Sequence, residues 1–400
     1  MSEIVAGRRR VESHQVLVRI AESYDIPREL MGLSWWGPGG TYCGEVPVAQ
    51  PSPTGEDEDV RRRTLIATTT VAAFGQVMQG RLGGLTELAL PADQPLPLRL
   101  GMAHVHAVRA VTEQLRGVAR QFGGQADLFG TAARLYTRWL KVPASEVVTV
   151  HLQAALAELY TEAGWVYHDS GMDGTGCFTR ALRLAHEAGD DFGVANAARQ
   201  AGQTLVRSGH PNDALKCFQL GQFVLTRYQA DTARPALVRA DDSRIRTLTA
   251  WLNQHSAAAY ALLDRAEEAQ RCLAEAREGW TPRDTYDRAG MDSTTAVIQL
   301  DFGRFDLAES FAASAVRTFG EGHRRGRMRA ELALAEVHVR AGEPRGLTLA
   351  RQAIEAVSTL QSVAVRRERL VPLATALEAR PGHDAKEIAR LARQVAATRM

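Results

Sequence analysis

"AGQTLVRSGHPNDALKCFQLG", residues 201–221, holds a complete helical hairpin in one short stretch. Gly202 and Leu205 fall on one face of a first helix, Gly209-His210-Pro211 breaks it, and Ala214, Phe218 and Gly221 return on one face of a second. Proline at the start of a helix loses no hydrogen bond, because its missing N–H has no partner there. Small residues at Gly202 and Ala214 let the two backbones approach closely. Leu205 and Phe218 fill the space beside them.

The pattern recurs. "AAAYALLDRAEEAQRCLAEA" repeats it with Ala257, Tyr260, Ala269, Leu273 and Ala276, and "AVIQLDFGRFDLAESFAASA" with Ala296, Gly303, Ala308, Ala312 and Ala315. "ALAEVHVRAGEPRG" carries Ala335, His338 and Gly342; "AGWVYHDSGMDGTGCFTRAL" carries Gly164, Tyr167, Gly171, Phe178 and Ala181. Apolar residues follow a helical period from residue 61 onward, without β-branched alternation. The expected class is all-α, an α-solenoid of stacked helical hairpins.

These small and large positions resemble the tetratricopeptide repeat over roughly residues 150–355. The spacing departs from that family. Gly164 to Gly202 is 38 residues, Ala257 to Ala296 and Ala296 to Ala335 are each 39, and Gly202 to Ala257 is 55, against a usual period of about 34. The Gly164 copy also differs in its turn, and residues 100–140 are expected to form one or two degenerate pairs.

The chain opens "MSEIVAGRRRVESHQVLVRIAESYDIPRELMGL". Ile4, Gly7, Arg8, Arg9 and Arg10, then Leu17, Ile20, Ala21, Ile26, Pro27 and Leu30, resemble the end of a Cro/CI-type (XRE) helix-turn-helix domain. The resemblance implies the tail of its third helix with the fourth and fifth. Its remnant DNA-facing positions are Ser2, Glu3, Arg8, Arg9 and Arg10. Bases are read chiefly by the first residues of a recognition helix, so this fragment is expected to touch phosphate without reading an operator. The expectation is that the missing helices are encoded upstream of Met1. Residues 1–33 are this partial domain, the Gly-, Pro- and acid-rich 34–60 a linker, and 61–400 the repeat array.

Composition adds bounds. The chain's 48 basic and 46 acidic residues leave +2, so no global field marks a nucleic-acid or membrane binder. Nearly all the basic residues are Arg, the mark of a GC-rich bacterial genome. No apolar run is long enough for a membrane helix. Cys43, Cys177, Cys217 and Cys272 form no CxxC pair, which favours reduced thiols and a cytoplasmic protein. No HExxH, Walker, GxSxG or GxGxxG signature is present, so neither enzyme activity, metal nor cofactor is expected.

A repeat array offers a concave surface lined by its first helices. In the resemblance, the facing positions lie six and three before the small crossing residue and one after it. They are Glu158, Thr161 and Trp165, with His168 a turn beyond; Asn196, Arg199 and Gln203; Trp251 and Gln254; Arg329 and Glu336. Amides and guanidinium groups there suit a peptide, small-molecule or protein effector; ordinary solvated or inter-repeat polar residues are the plainer reading. "GEGHRRGRMRAE" could meet phosphate or an acidic partner, with a solvated inter-repeat loop favoured. The function expected is an effector-sensing transcriptional regulator working as a homodimer, with amphipathic helices in 349–378 and 384–399 offering the interface. The alternative is a repeat scaffold for other proteins that never meets DNA.

Overall fold

The computed structural model describes residues 96–230, 242–278, 280 and 285–398, and every regular element among them is helical. The helix-turn-helix remnant, the linker and the first part of the array, residues 1–95, lie outside the described residues. Two helices, α1 (Met102–Phe122) and α2 (Ala126–Thr137), precede six hairpins. These are α3 (Glu146–Asp169) with α4 (Thr175–Glu187), α5 (Asp191–Arg207) with α6 (Pro211–Ala230), and α7 (Asp242–Leu262) with α8 (Ala266–Glu278). Next come α9 (Thr285–Asp301) with α10 (Phe305–Thr318), α11 (Arg324–Arg340) with α12 (Arg345–Val357), and α13 (Val363–Glu378) with α14 (His383–Ala397).

The first five hairpins share one turn. At Gly171, Gly209, Gly303 and Gly342 the backbone takes φ between 67° and 78°, and at Asp264 it takes 57°. After each, the next N–H reaches back to a carbonyl in the last turn of the first helix, as His210 does to Leu205 (2.8 Å) and Arg265 to Tyr260 (2.9 Å). This left-handed cap satisfies carbonyls that a helix end leaves orphaned. Glycine meets it without a Cβ penalty; Asp264 takes the same conformation at some cost.

Packing follows the alternation of sizes. Phe218 is fully buried against Gly202, and Phe178 packs on Gly164 in the same way. Ala257, Ala296 and Ala335 are buried where the sequence pattern puts the crossings. The long period has a simple cause: α9 has 17 residues and α10 has 14, and the short 3-10 turn Glu321–His323 precedes α11. The wide gap after Gly202 comes partly from α6, which runs to 20 residues.

The first helices α3, α5, α7, α9, α11 and α13 pack side by side as an inner layer, each backed by its partner. The stack then returns to its start. α1 packs on α11 and α3 packs on α13, so among the described residues the solenoid winds once and closes.

One expectation changes here. The apolar stripes of α12, α13 and α14 are consumed within the chain. Ile354, Leu370, Leu373, Leu377, Ile388 and Ala392 form a single buried cluster, so these stripes are not a free dimer face.

A methyl group on Gly202 would lie 2.4 Å from the Phe218 ring. Gly202→Ala is expected to lower the unfolding free energy by ~1–3 kcal/mol, despite alanine's better helix propensity. Gly202→Ala combined with Phe218→Leu should cost less than the two single changes summed. Urea titration of the four proteins checks both.

Candidate functional site

The inner helices surround a cavity of about 370 Å³. Its lining follows helical spacing: Glu113, Arg116 and Arg120 on α1; Glu158, Glu162, Trp165 and Asp169 on α3; Asn196, Arg199, Gln203 and Arg207 on α5. The far wall brings Arg244 and Trp251 of α7, Tyr286, Gly290 and Ser293 of α9, and Arg325 and Arg329 of α11. Residues three and four apart share one face of a helix, so each helix contributes one stripe.

Charged side chains hold the closing seam. The Asp169 carboxylate accepts from the Gly124 N–H (2.9 Å), the Ser362 hydroxyl (2.7 Å) and the Arg325 guanidinium, whose Nε lies 3.0 Å from both oxygens. Burial alone would raise its pKa, but Arg325 and the two hydrogen bonds outweigh that and hold the carboxyl below its ordinary range. Ser362 also caps α13, accepting from the Val365 N–H. The Gln361 N–H donates to the Phe122 carbonyl at 3.0 Å. Gly123 and Gly124 take φ of 71° and 65°, and a Cβ on Gly123 would lie 2.7 Å from that of Ser362; only glycine lets the loop come so near.

A second carboxylate links three inner helices. Glu368 of α13 accepts from Arg207 of α5 (2.9 Å) and pairs with His168 of α3 (3.1 Å). Burial pushes its pKa up, and Arg207, His168 and Arg329 together bring it below the ordinary range. Arg116 pairs with Glu113, with Glu158 (2.8 Å) and with Glu162 (3.2 Å). Arg120 lies over the Tyr286 ring at 4.0 Å.

Of the eleven facing positions expected from sequence, Glu158, Trp165, Asn196, Arg199, Gln203, Trp251 and Arg329 line the cavity. The position six before the crossing residue does so in all five copies, counting Gly290 in the copy where no candidate was named. His168 is committed to Glu368 and lies beside Trp165. Two placements need correcting. Gln254 is fully buried between α7 and α9, donating to the Met291 carbonyl (2.6 Å) and the Thr295 hydroxyl (2.9 Å). Glu336 is buried between α11 and α13, paired with Arg369 (2.6 Å) and Arg340 (2.9 Å). Thr161 likewise turns its hydroxyl onto the Ala157 carbonyl. Where neighbouring inner helices pack tightly, those positions meet the next helix instead of the open centre.

The arginine cluster of "GEGHRRGRMRAE" is also corrected. It forms the first turns of α11 and is not a solvated loop. Arg325 enters the seam and Arg329 the cavity, while Arg324 bonds Thr359 and Arg327 pairs with Glu331. Sequence reasoning missed Arg116, Arg120, Glu162, Asp169, Arg207, Arg244 and Tyr286. Those on α1 lie outside any recognised repeat; Asp169 and Arg207 lie five past their crossing glycines, a register that could have been counted.

Glu309, His338 and Glu343 come within ligand distance of one another. Arg345 already donates to both carboxylates, at 2.8 and 2.7 Å, so the cluster is balanced as an ion-pair network.

The depressed Asp169 and Glu368 carboxyls contribute stability above about pH 4, and that contribution is lost as the pH falls below their ordinary range. The stability gap between wild type and Glu368→Gln is therefore expected to be widest near pH 6 and to narrow towards pH 3. Urea titrations across that range measure it.

Scanned against protein-family models, the chain matches none, and a search of curated proteins found no match. No helix among the described residues is long and apolar enough to cross a membrane.

Proposed function

We propose that this chain is the sensing part of a transcriptional regulator, in which a small-molecule effector bound within the helical ring controls a helix-turn-helix domain. The observation that carries the reading is the cavity itself. Every inner helix except α13 contributes to its lining, so one occupant would touch pairs that are distant in the chain. Its volume of about 370 Å³ suits a metabolite. A scaffold reading is less favoured, because the inner surface on which such arrays hold partners here faces the centre of a single turn whose ends meet.

An occupant that binds one arrangement of the hairpins better than another shifts the ring towards it. Hairpins in a solenoid are coupled to their neighbours, so a small change at the centre spreads to the ends of the array. The DNA-binding half of the proposal is supported by the residues at 4–30 that resemble a Cro/CI-type domain. Two copies would present paired domains to a two-fold operator.

Protein immunoprecipitated from its native host with sheared genomic DNA tests this reading. Enrichment at a few discrete intergenic sites is the expected result. Recovery indistinguishable from input DNA would remove the regulator reading and leave a binding protein. Within the same assay, Trp251→Leu is expected to change site occupancy at least about threefold by altering the cavity wall, without changing which sites are bound.

A further inference from the structure

Among the arginines that line the cavity, Arg120 and Arg244 lie over the Tyr286 and Phe192 rings, and the other five divide into two groups. Arg116, Arg207 and Arg325 each have carboxylate partners. Arg199 and Arg329 have no carboxylate within ion-pair distance among the described residues; Glu162 and Asp287 act on Arg199, and Glu368 on Arg329, only through space. The Arg199 guanidinium is held by neutral groups: the Asn196 side-chain oxygen (3.1 Å from Nη2, 3.3 Å from Nε) and the His255 Nε2 (3.3 Å from Nη1). Arg329 reaches the Ser293 hydroxyl at 3.1 Å through Nη1, and its buried Nε has no hydrogen-bond partner.

His255 cannot supply a counter-charge. It is buried beside Trp251 and Phe218. Burial first, then Arg199, Arg207 and Arg329, hold its pKa well below the ordinary value, so the ring is a neutral acceptor. Arg199 and Arg329 therefore line one cavity and act on one imidazole, without a negative charge bonded to either. Placing cations away from bulk water without a partner is costly. Natural chains keep such a cost where a ligand removes it.

We propose that the cavity binds a small organic oxyanion, a carboxylate or phosphate ester, held between Arg199 and Arg329. This rests on the cavity being the effector site and names the chemical class of its occupant. A planar guanidinium offers paired N–H donors to either oxyanion. Asn196, Gln200 and Gln203 face the same space and suit the polar remainder of the molecule. The neutral partners keep Arg199 and Arg329 oriented without neutralising them, which a carboxylate neighbour would do.

Calorimetric titration and thermal melting of the whole protein, in an amine buffer with chloride as the sole anion, test this. The probes are succinate, citrate, inorganic phosphate and glycerol 3-phosphate, with neutral succinamide as control. The expected result is saturable binding and a raised Tm with either the carboxylates or the phosphates, which separates the two sources, and none with succinamide. Arg329→Met is expected to weaken that binding at least about tenfold, while raising the Tm without ligand by about 2 °C or more. Arg329→Lys should keep part of the affinity. Arg329→Met and Arg199→Met proteins that melt lower than wild type and bind the anions equally well would overturn the proposal. So would binding of succinamide in preference to every anion, although the cavity would still stand as a ligand site.

Discussion

Asp169 accepts hydrogen bonds from three places far apart in the chain: the Gly123–Gly124 loop, the start of α11 and the cap of α13. Its carboxylate is buried, and a buried carboxylate is tolerated only when charge and hydrogen bonds replace the water it has lost. Here they do so only if the two ends of the solenoid meet. Arg325, 156 residues further on, supplies the charge, and Ser362, 193 residues further on, supplies a hydroxyl. Separating the seam would take these bonds from Asp169 and Arg325 and return both groups to water. The electrostatic requirement of one side chain thus turns a one-turn stack of hairpins into a ring.

Closure sets the character of the interior. An open solenoid exposes its inner helices along a groove, where charges are screened by solvent. A closed one brings α1, α5 and α11 into a shared space, where the fields of their arginines add. The seam carboxylates and the Glu113, Glu158 and Glu162 group offset part of this field. Arg199 and Arg329 keep acceptors that carry no charge. The hairpins supply stability through crossing residues such as Phe178, Phe218, Ala257, Ala296 and Ala335, which do not line the cavity, and this leaves the inner stripe free to carry side chains that a well-packed core would exclude.

The hairpins were legible because their physics is local. A left-handed residue after the first helix of five hairpins and a small residue facing a large one are both contained within about twenty residues, and the helical period makes them visible. The position six before the crossing residue could be read the same way. The ring could not, because nothing near Asp169 in sequence announces Arg325 or Ser362. Gln254 and Glu336 show the matching failure at the site: polarity at a facing register does not reveal whether the next helix lies close enough to bury the side chain. The stripes of α12 to α14 likewise showed that an apolar face must be covered, without showing that the same chain covers it.

The seam can be probed directly where Gln125 and Gln361 join their amides across it. Cysteines placed at both positions, in a chain whose other thiols are replaced, report whether the ends meet in solution. The account predicts near-complete formation of one intramolecular 125–361 disulfide under mild oxidation in native buffer, mapped by mass spectrometry, and its disappearance in urea. Free thiols at both positions in the native protein, or links formed only between molecules, would show that the solenoid is open and would contradict the account.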